Sequence, residues 1–301
     1  MVPCTAPPTF GFSENDESWE PCYSTIPGDR AERLGAGASM RFFRELVENR
    51  TLLLELVRRD VRGRFAGARF GLLWSLLNPA IQLLSYGLIF GFLYGASDPT
   101  RRSVLVASLF CGLFPWWAFQ EGATRGMTAL VDQSALLRRI PMPPFLCVCA
   151  ATISSFLLQM IGFLLFLGAF SLAGLVTPAL AWLWLPVVMG LSLALSLSLG
   201  LVLAPIYLAL RDTMWVVTAL MTVGFFASPV LYELDFLPSS IRFLAAWNPM
   251  AALIGFYRSL VLGVDGPEIL TIVVLLATII GLGLAAMSLM KRLEGRLDEY
   301  W

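Results

Sequence analysis

The chain has 301 residues, 57% of them hydrophobic and 14% charged, and its mean hydropathy of +0.75 exceeds what a soluble single-core domain needs. The formal net charge is zero, carried by 20 arginines, the single lysine Lys291 and 21 acids, with no histidine. Without histidine there is no imidazole metal ligand, no histidine general base and no imidazole pH switch near neutrality.

Residues 1–40 contain five prolines, several acids and no apolar run long enough for a signal peptide. They read as a disordered cytoplasmic tail, with Met40 as an alternative start. Cys4, Cys22, Cys111, Cys147 and Cys149 form no disulfide framework, and Cys147 with Cys149 gives C-x-C, not the C-x-x-C of redox or zinc motifs. The last three read as small apolar helix residues.

Next comes Arg41–Arg69. Leu46, Leu53, Leu56, Val57, Val61 and Phe65 recur at helical spacing, and Arg50, Arg58, Arg59, Arg62 and Arg64 supply a basic remainder. This pattern predicts an amphipathic helix in the membrane interface, its apolar face in the acyl boundary. The plainer reading is a basic flank of the first span.

A bilayer core about 30 Å thick takes roughly 20 apolar residues in helical form. Six stretches meet or approach this: Gly71–Ala96, Val104–Glu121, Phe145–Leu175, Ala181–Leu210, Met214–Tyr232 and Ile269–Met290. Pro79, Pro115, Pro186 and Pro205 fall inside them and predict kinks. With a cytoplasmic N-terminus, 17 arginines and lysines lie inside, and Arg101, Arg102, Arg242 and Arg258 lie outside. That asymmetry places both termini in the cytoplasm. The predicted fold is therefore an all-α integral membrane protein of six spans, with residues 41–301 as the membrane domain.

Two further segments do not span. Thr124–Pro144 contains SALLRRIPMPP, where Leu136, Leu137 and Ile140 are apolar but Arg138, Arg139 and the prolines exclude a bilayer position. A short helix showing leucines and arginines to the cytoplasm suits docking into a groove on a soluble partner; an ordinary basic loop is the alternative. Glu233–Glu268 holds two half-length apolar arms, Phe236–Leu244 and Ala251–Leu262, around Asn248-Pro249. They predict a re-entrant hairpin in the outer leaflet, with an ordinary extracellular loop as the alternative. Arg258 in the second arm costs about 2.5–3.5 kcal/mol at the centre of a lipid-facing helix, so it should face protein, water or headgroups.

The chemistry missing from the chain narrows its class. A P-loop needs G-x-x-x-x-G-K-[ST], and Lys291 between Met290 and Arg292 does not supply one. Nor do the span centres hold the acids typical of proton-coupled carriers, since Glu121 and Asp212 fall near helix ends. Uphill movement would need energy from a partner.

The run LVRRDVRGRFAGARFGLLWSLLNPAIQLLSYGLIFGFLYG resembles the entry to the first span of type-2 ABC permeases that export polysaccharides. FPWWAFQEGATRGMTALVDQSALLRRIPMPP is similar to their second span and coupling loop, and LALRDTMWVVTALMTVGFFASPVLYELDFLP with WNPMAALIGFYRSLVLG to their fifth span and gate hairpin. The resemblance covers about residues 42–299. It implies the permease subunit of an exporter of O-antigen, capsular polysaccharide or teichoic acid in the cell inner membrane. It also implies a homodimer and two separate ATP-binding cassette subunits that hold the ATP, with no cofactor or metal in this chain and no nucleic-acid partner. Leu136, Leu137, Arg138, Arg139 and Ile140, with Arg62 and Arg64, would couple to the ATPase. Trp116, Trp117, Phe119, Phe226, Tyr232, Phe236 and Tyr257 would offer aromatic faces to a lipid-linked sugar chain, although interfacial aromatic belts explain part of that set. A permease for a small drug, haem or lipid, and a carrier or scaffold without an ATPase, are the alternatives.

Overall fold

The computed structural model describes residues 44–65, 73–93, 99–139, 142–232 and 247–294, which all fall in one compact unit, Ser39–Trp301. Every regular element among them is helical: α1 (Arg50–Phe65), α2 (Leu73–Leu93), α3 (Pro99–Asp132), α4 (Ser134–Leu137), α5 (Phe145–Leu172), a 3₁₀ turn (Leu180–Trp184), α6 (Leu185–Ala209), α7 (Thr213–Ala227), α8 (Pro249–Leu262) and α9 (Ile269–Glu294). The expected tail, Ile140 and the first arm of the hairpin with Phe236 lie outside the described residues.

Among the described residues, four stretches are long and apolar enough to cross a membrane: Val104–Asp132, Phe145–Leu172, Leu180–Ala209 and Ile269–Leu293. The first and fifth expected spans contain shorter apolar helices, Leu76–Phe90 and Thr213–Ala227. Fifteen residues of α7 rise about 22 Å, short of the ~30 Å hydrocarbon core. The chain leaves that helix at Ser228 and turns through Val230 to Tyr232.

The second expected span departs most from its expected length. Its helix, α3, continues past Glu121 to Asp132, for 34 residues in all, so part of the segment read as a loop is helix. Ala123, Met127, Ala129 and Leu130 keep the helical period beyond Glu121 and are buried, which holds the extension against its neighbours. Among the described residues of that segment, only Gln133, Arg138, Arg139 and 142–144 are not helical.

Prolines are also placed differently from expectation. Pro79, Pro115 and Pro205 lie inside α2, α3 and α6, whereas Pro186 sits in the first turn of α6. There its missing N–H removes no intrahelical hydrogen bond, so it begins the helix and does not kink it. The expected fourth span is thus a 3₁₀ turn followed by a helix.

Helix α3 runs through the middle, packed along both α5 and α6, with α9 also packed on α6. Small residues permit the approach. A Cβ added to Gly126 would lie 2.4 Å from Thr152 Oγ1 and 3.2 Å from Gly200 Cα, and one added to Gly122 would lie 2.4 Å from Ser196 Oγ. Gly122 and Gly126 on α3, like Ser196 and Gly200 on α6, are spaced four apart, so each pair shares a helix face. Lipid gives no hydrophobic drive to helix pairing, and close backbone contact supplies dispersion energy in its place.

Two apolar clusters form around this axis. The larger contains an aromatic stack in which Phe110 lies over Phe163 with centroids 4.7 Å apart, and Phe114 and Phe170 close around the pair. The smaller, at the arginine-rich end, joins Leu53, Leu56 and Val57 of α1 to Phe145, Leu146 and Cys149 of α5 and to Met290 and Leu293 of α9. Here the expectation for α1 needs correction. Its apolar face packs on α5, not in the acyl boundary, and Leu53, Leu56 and Val57 are at most 8% exposed. The helical hydrogen bonding continues upstream, from Leu53 N–H to Asn49 O and from Asn49 N–H to Glu45 O.

Helix α8, which covers the second arm of the expected hairpin, is held at both ends. Asn248 caps it, accepting from Met250 N–H at 2.9 Å and donating to Ser228 Oγ at 2.9 Å, and Pro249 follows at the first helical position. Gly263 ends it at φ +70, a left-handed conformation in which glycine avoids the Cβ penalty. Arg258 is buried and faces protein, donating to Tyr232 O at 3.1 Å and Val230 O at 3.3 Å. The turn that accepts these bonds presses on α3, since a Cβ on Gly112 would meet Val230 O at 2.3 Å.

Candidate functional site

At the arginine-rich end, α3 hands over to a short turn, α4, and then to α5. The Gln133 carbonyl accepts 3₁₀ and α-type bonds from Leu136 and Leu137 N–H, and Arg138 N–H closes on Ser134 O. The turn projects Arg138 and Arg139, which are exposed. Leu136 and Leu137 rest partly on the cluster that holds α1 against α5. The coupling candidates therefore form a mixed surface: two outward guanidinium groups beside two leucines that share their area with the membrane domain.

The two arginines singled out on α1 part ways. Arg62 is exposed. Arg64 turns inward, its side chain 19% exposed, and enters an ionic cluster that the sequence did not reveal. Its Nε donates to Asp60 Oδ2 at 3.3 Å, its Nη1 to Glu121 Oε1 at 3.4 Å and its Nη2 to Ser155 Oγ. Asp60, 13% exposed, also accepts from Arg125 Nη2 at 3.0 Å and from Ser154 Oγ. Two acids and two arginines from α1 and α3 are thus joined by two serines of α5. Such a group is neutral in sum, which lowers the cost of holding charge in a poorly hydrated interface. Arg59 Nη2 extends the contacts to Gln133 Oε1 at 3.2 Å, at the start of the turn. The signal was present in the spacing: Asp60 with Arg64 and Glu121 with Arg125 are i,i+4 pairs, and Ser154-Ser155 interrupts an apolar helix. Their convergence depends on three helices meeting, which spacing does not encode.

The aromatic candidates also divide. Trp116 and Phe119 are nearly buried, yet they form one wall of an open cleft of about 260 Å³ whose other walls include Leu199, Leu203, Met221 and Asn248. Trp116 Nε1 donates to Gln120 Oε1 at 2.9 Å, and its ring meets Phe119 at 5.7 Å and Phe225 at 5.8 Å. Phe226 is 64% exposed and lies edge-on to Phe225, and Tyr232 donates to its carbonyl at 3.2 Å. Trp117 is partly exposed and packs edge-on to Phe114 at the margin of the inner stack. Tyr257 is fully buried, 3.4 Å from Ser192 Oγ and edge-on to Phe163. It presents no face to a passing chain and is a packing residue of the subunit. The cleft is smaller than the roughly 300–1,000 Å³ of ordinary small-molecule sites.

No group of three or more metal-ligating side chains lies together among the described residues. The described residues form a multi-pass helical membrane domain with a short exposed turn between α3 and α5. The chain matches the ABC-2 type transporter family over residues 51–262, and it belongs to that family. Among curated relatives, the O-antigen export system permease protein RfbA of Myxococcus xanthus is 30% identical over 266 residues, 87% of this chain and 98% of the relative. A Klebsiella pneumoniae protein of the same name is 25% identical over 77% of this chain and 90% of its own length. The polysialic acid transport protein KpsM of Escherichia coli is 24% identical over 68% of this chain and 78% of its own.

Proposed function

We propose that the chain is the permease subunit of an ABC exporter that moves a lipid-linked polysaccharide, such as O-antigen or capsular polysaccharide, across the cell inner membrane. The observation that carries this reading is a likeness to permeases named for O-antigen and polysialic acid, which extends over 98% of one relative's length. Nucleotide is held by two separate ATP-binding cassette subunits, and this chain performs no hydrolysis. In support, the sequence has no P-loop and a single lysine.

In this reading the subunit has six spans, α2 and α7 completing the four longer ones, with a re-entrant hairpin after α7 and both termini in the cytoplasm. The 17-to-4 distribution of arginine and lysine supports that orientation. Helix α1 lies at the cytoplasmic end with its apolar face on α5, and Leu54, 56% exposed on another side, is the residue left to reach lipid. Leu136, Leu137, Arg138, Arg139 and Ile140, with Arg62, meet the ATPase, while Arg64 braces the site from within. Two copies enclose the path. Helix α7 buries Val217 and Met221 but leaves Trp215, Val216, Leu220, Val223 and Phe226 open to a neighbour, which favours a homodimer. Trp116, Trp117, Phe119, Phe226, Tyr232 and Phe236 would supply sugar-stacking faces along that path.

The test is genetic and biochemical. Loss of the gene should leave polymer inside the cell and none at the surface, and the tagged chain should carry an ATP-binding cassette subunit through purification. Surface polymer at the normal level without this chain would refute the proposal.

A further inference from the structure

We propose that Asp60 is a positioning residue for energy coupling: it ties α1, α3 and α5 into one lever, so that a push on the Gln133–Arg139 turn reaches the membrane helices. The inference rests on the coupling role given above to that turn.

Three helices end on one carboxylate. Asp60 Oδ1 accepts from Arg125 of α3, and Oδ2 accepts from Arg64 of α1 and Ser154 of α5. Both oxygens are in use, and the carboxylate is largely withdrawn from water. The apolar contacts of α1 with α5 are non-directional and permit sliding at little cost. Charge-assisted hydrogen bonds to a guanidinium have fixed geometry and do not. The contacts also close a ring through the turn. Arg59 beside Asp60 donates to Gln133 at the start of the turn, and Arg125 lies within 4.0 Å of Asp132, the last residue of α3. Thr128 donates to the same Asp132 carboxylate at 2.8 Å, knitting the final turn of α3. Displacing Gln133 therefore pulls on α1 through Arg59 and on α3 through the helix itself, and Asp60 joins the two.

Two variants separate this role from simple stabilisation. Asp60→Asn leaves Arg125 with Asp132 alone, 4.0 Å away, so its protein level can fall for structural reasons. The double variant Asp60→Asn/Arg125→Gln keeps the site neutral, with Arg64 still paired to Glu121 at 3.4 Å, but removes the Asp60–Arg125 ion pair, the shorter of the two that join α1 to α3. Each is expressed with the ATP-binding subunits in cells fed radiolabelled sugar, and the surface-accessible share of labelled polymer is measured. ATP hydrolysis is measured on the purified complex.

The expected result for the double variant is normal complex yield and hydrolysis within about twofold of wild type. Surface polymer should fall at least about fivefold, the lower range of an energetic coupling between sites. Export in proportion to hydrolysis, at the wild-type ratio, would overturn the proposal. So would a drop in export that merely follows protein level in both variants. If the wild-type chain carries no ATP-binding subunit, the coupling reading fails and takes this inference with it. A retained subunit with an unchanged ratio refutes Asp60 alone.

Discussion

Gly112→Ala isolates how the turn after α7 is held against α3. The added Cβ would meet Val230 O at 2.3 Å, Val230 C at 3.0 Å and Val230 Cα at 3.1 Å, all backbone atoms that no rotamer change can clear. A carbon rests against a carbonyl oxygen at about 3.3–3.6 Å, so the turn must retreat by roughly 1 Å. That movement stretches the 3.3 Å bond from Arg258 Nη2 to Val230 O beyond hydrogen-bonding range. Overpacking costs about 1–3 kcal/mol, and losing a hydrogen bond to a charged group adds about 1.5–3 kcal/mol. The control is Gly190→Ala on α6, where nothing lies within 4 Å of the new Cβ. It should be neutral or stabilising by about 0.5–1 kcal/mol through helix propensity. Both variants are solubilised in detergent and their thermal unfolding is followed by light scattering and by monodisperse recovery. The expected Tm of Gly112→Ala is lower by on the order of 5–10 °C, while that of Gly190→Ala is unchanged or higher. Equal stability of the two variants would refute the close contact and, with it, the anchoring of α8 through Arg258.

The remaining predictions concern coupling, packing, topology and the tail. Replacing Leu137 and Arg138 together should leave the chain inserted but reduce ATPase co-purification or export; Arg138→Lys should reduce export too, because lysine keeps the charge but loses the planar fork. Full export by both would move the docking surface away from α4. Gly126→Leu should lower the folded yield in detergent far more than Gly168→Leu, since Gly126 faces Thr152 and Gly200 while Gly168 faces open space; equal yields would remove the case for close packing of α3 on α6. Cysteines placed at Ser97 and Asp265 should react with an impermeant thiol reagent from outside intact cells and one at Ser134 should not, and labelling at Ser134 would invert the orientation. Deleting residues 1–39 should preserve export, and lost export at a normal protein level would assign the tail a role.

Much of the fold was legible because lipid imposes a length rule on apolar runs. The boundaries were not, and each failure has a local cause. Glu121 and Arg125 looked like the end of a span, yet Ala123, Met127 and Leu130 keep the helical period and are buried. Counting charges against a bilayer assumes that lipid surrounds the helix. Here protein does: α3 continues along α5 and α6, and its charges turn toward α1. Pro186 was misplaced for a related reason. Hydropathy does not separate a proline within a helix from one that begins it, and the 3₁₀ turn Leu180–Trp184 runs into the same apolar stretch as the helix it precedes.

The amphipathic helix shows most clearly where sequence reading stops. Its period was right, with Leu53, Leu56 and Val57 on one face, but an apolar stripe along a helix does not say whether oil or protein covers it. In a membrane protein the two are nearly equivalent solvents for leucine, so apolar residues alone leave the choice open. The polar ones decide it. An aspartate facing lipid would be expensive, whereas Asp60 opposite two arginines and a serine has partners. The face of α1 that carries Asp60 must therefore meet protein, and Ser154-Ser155 on α5 is the one pair of adjacent serines along that largely apolar helix. Charge read as a face-selecting constraint, and not as a sum over loops, is what turns this helix from the lipid surface onto the transport domain.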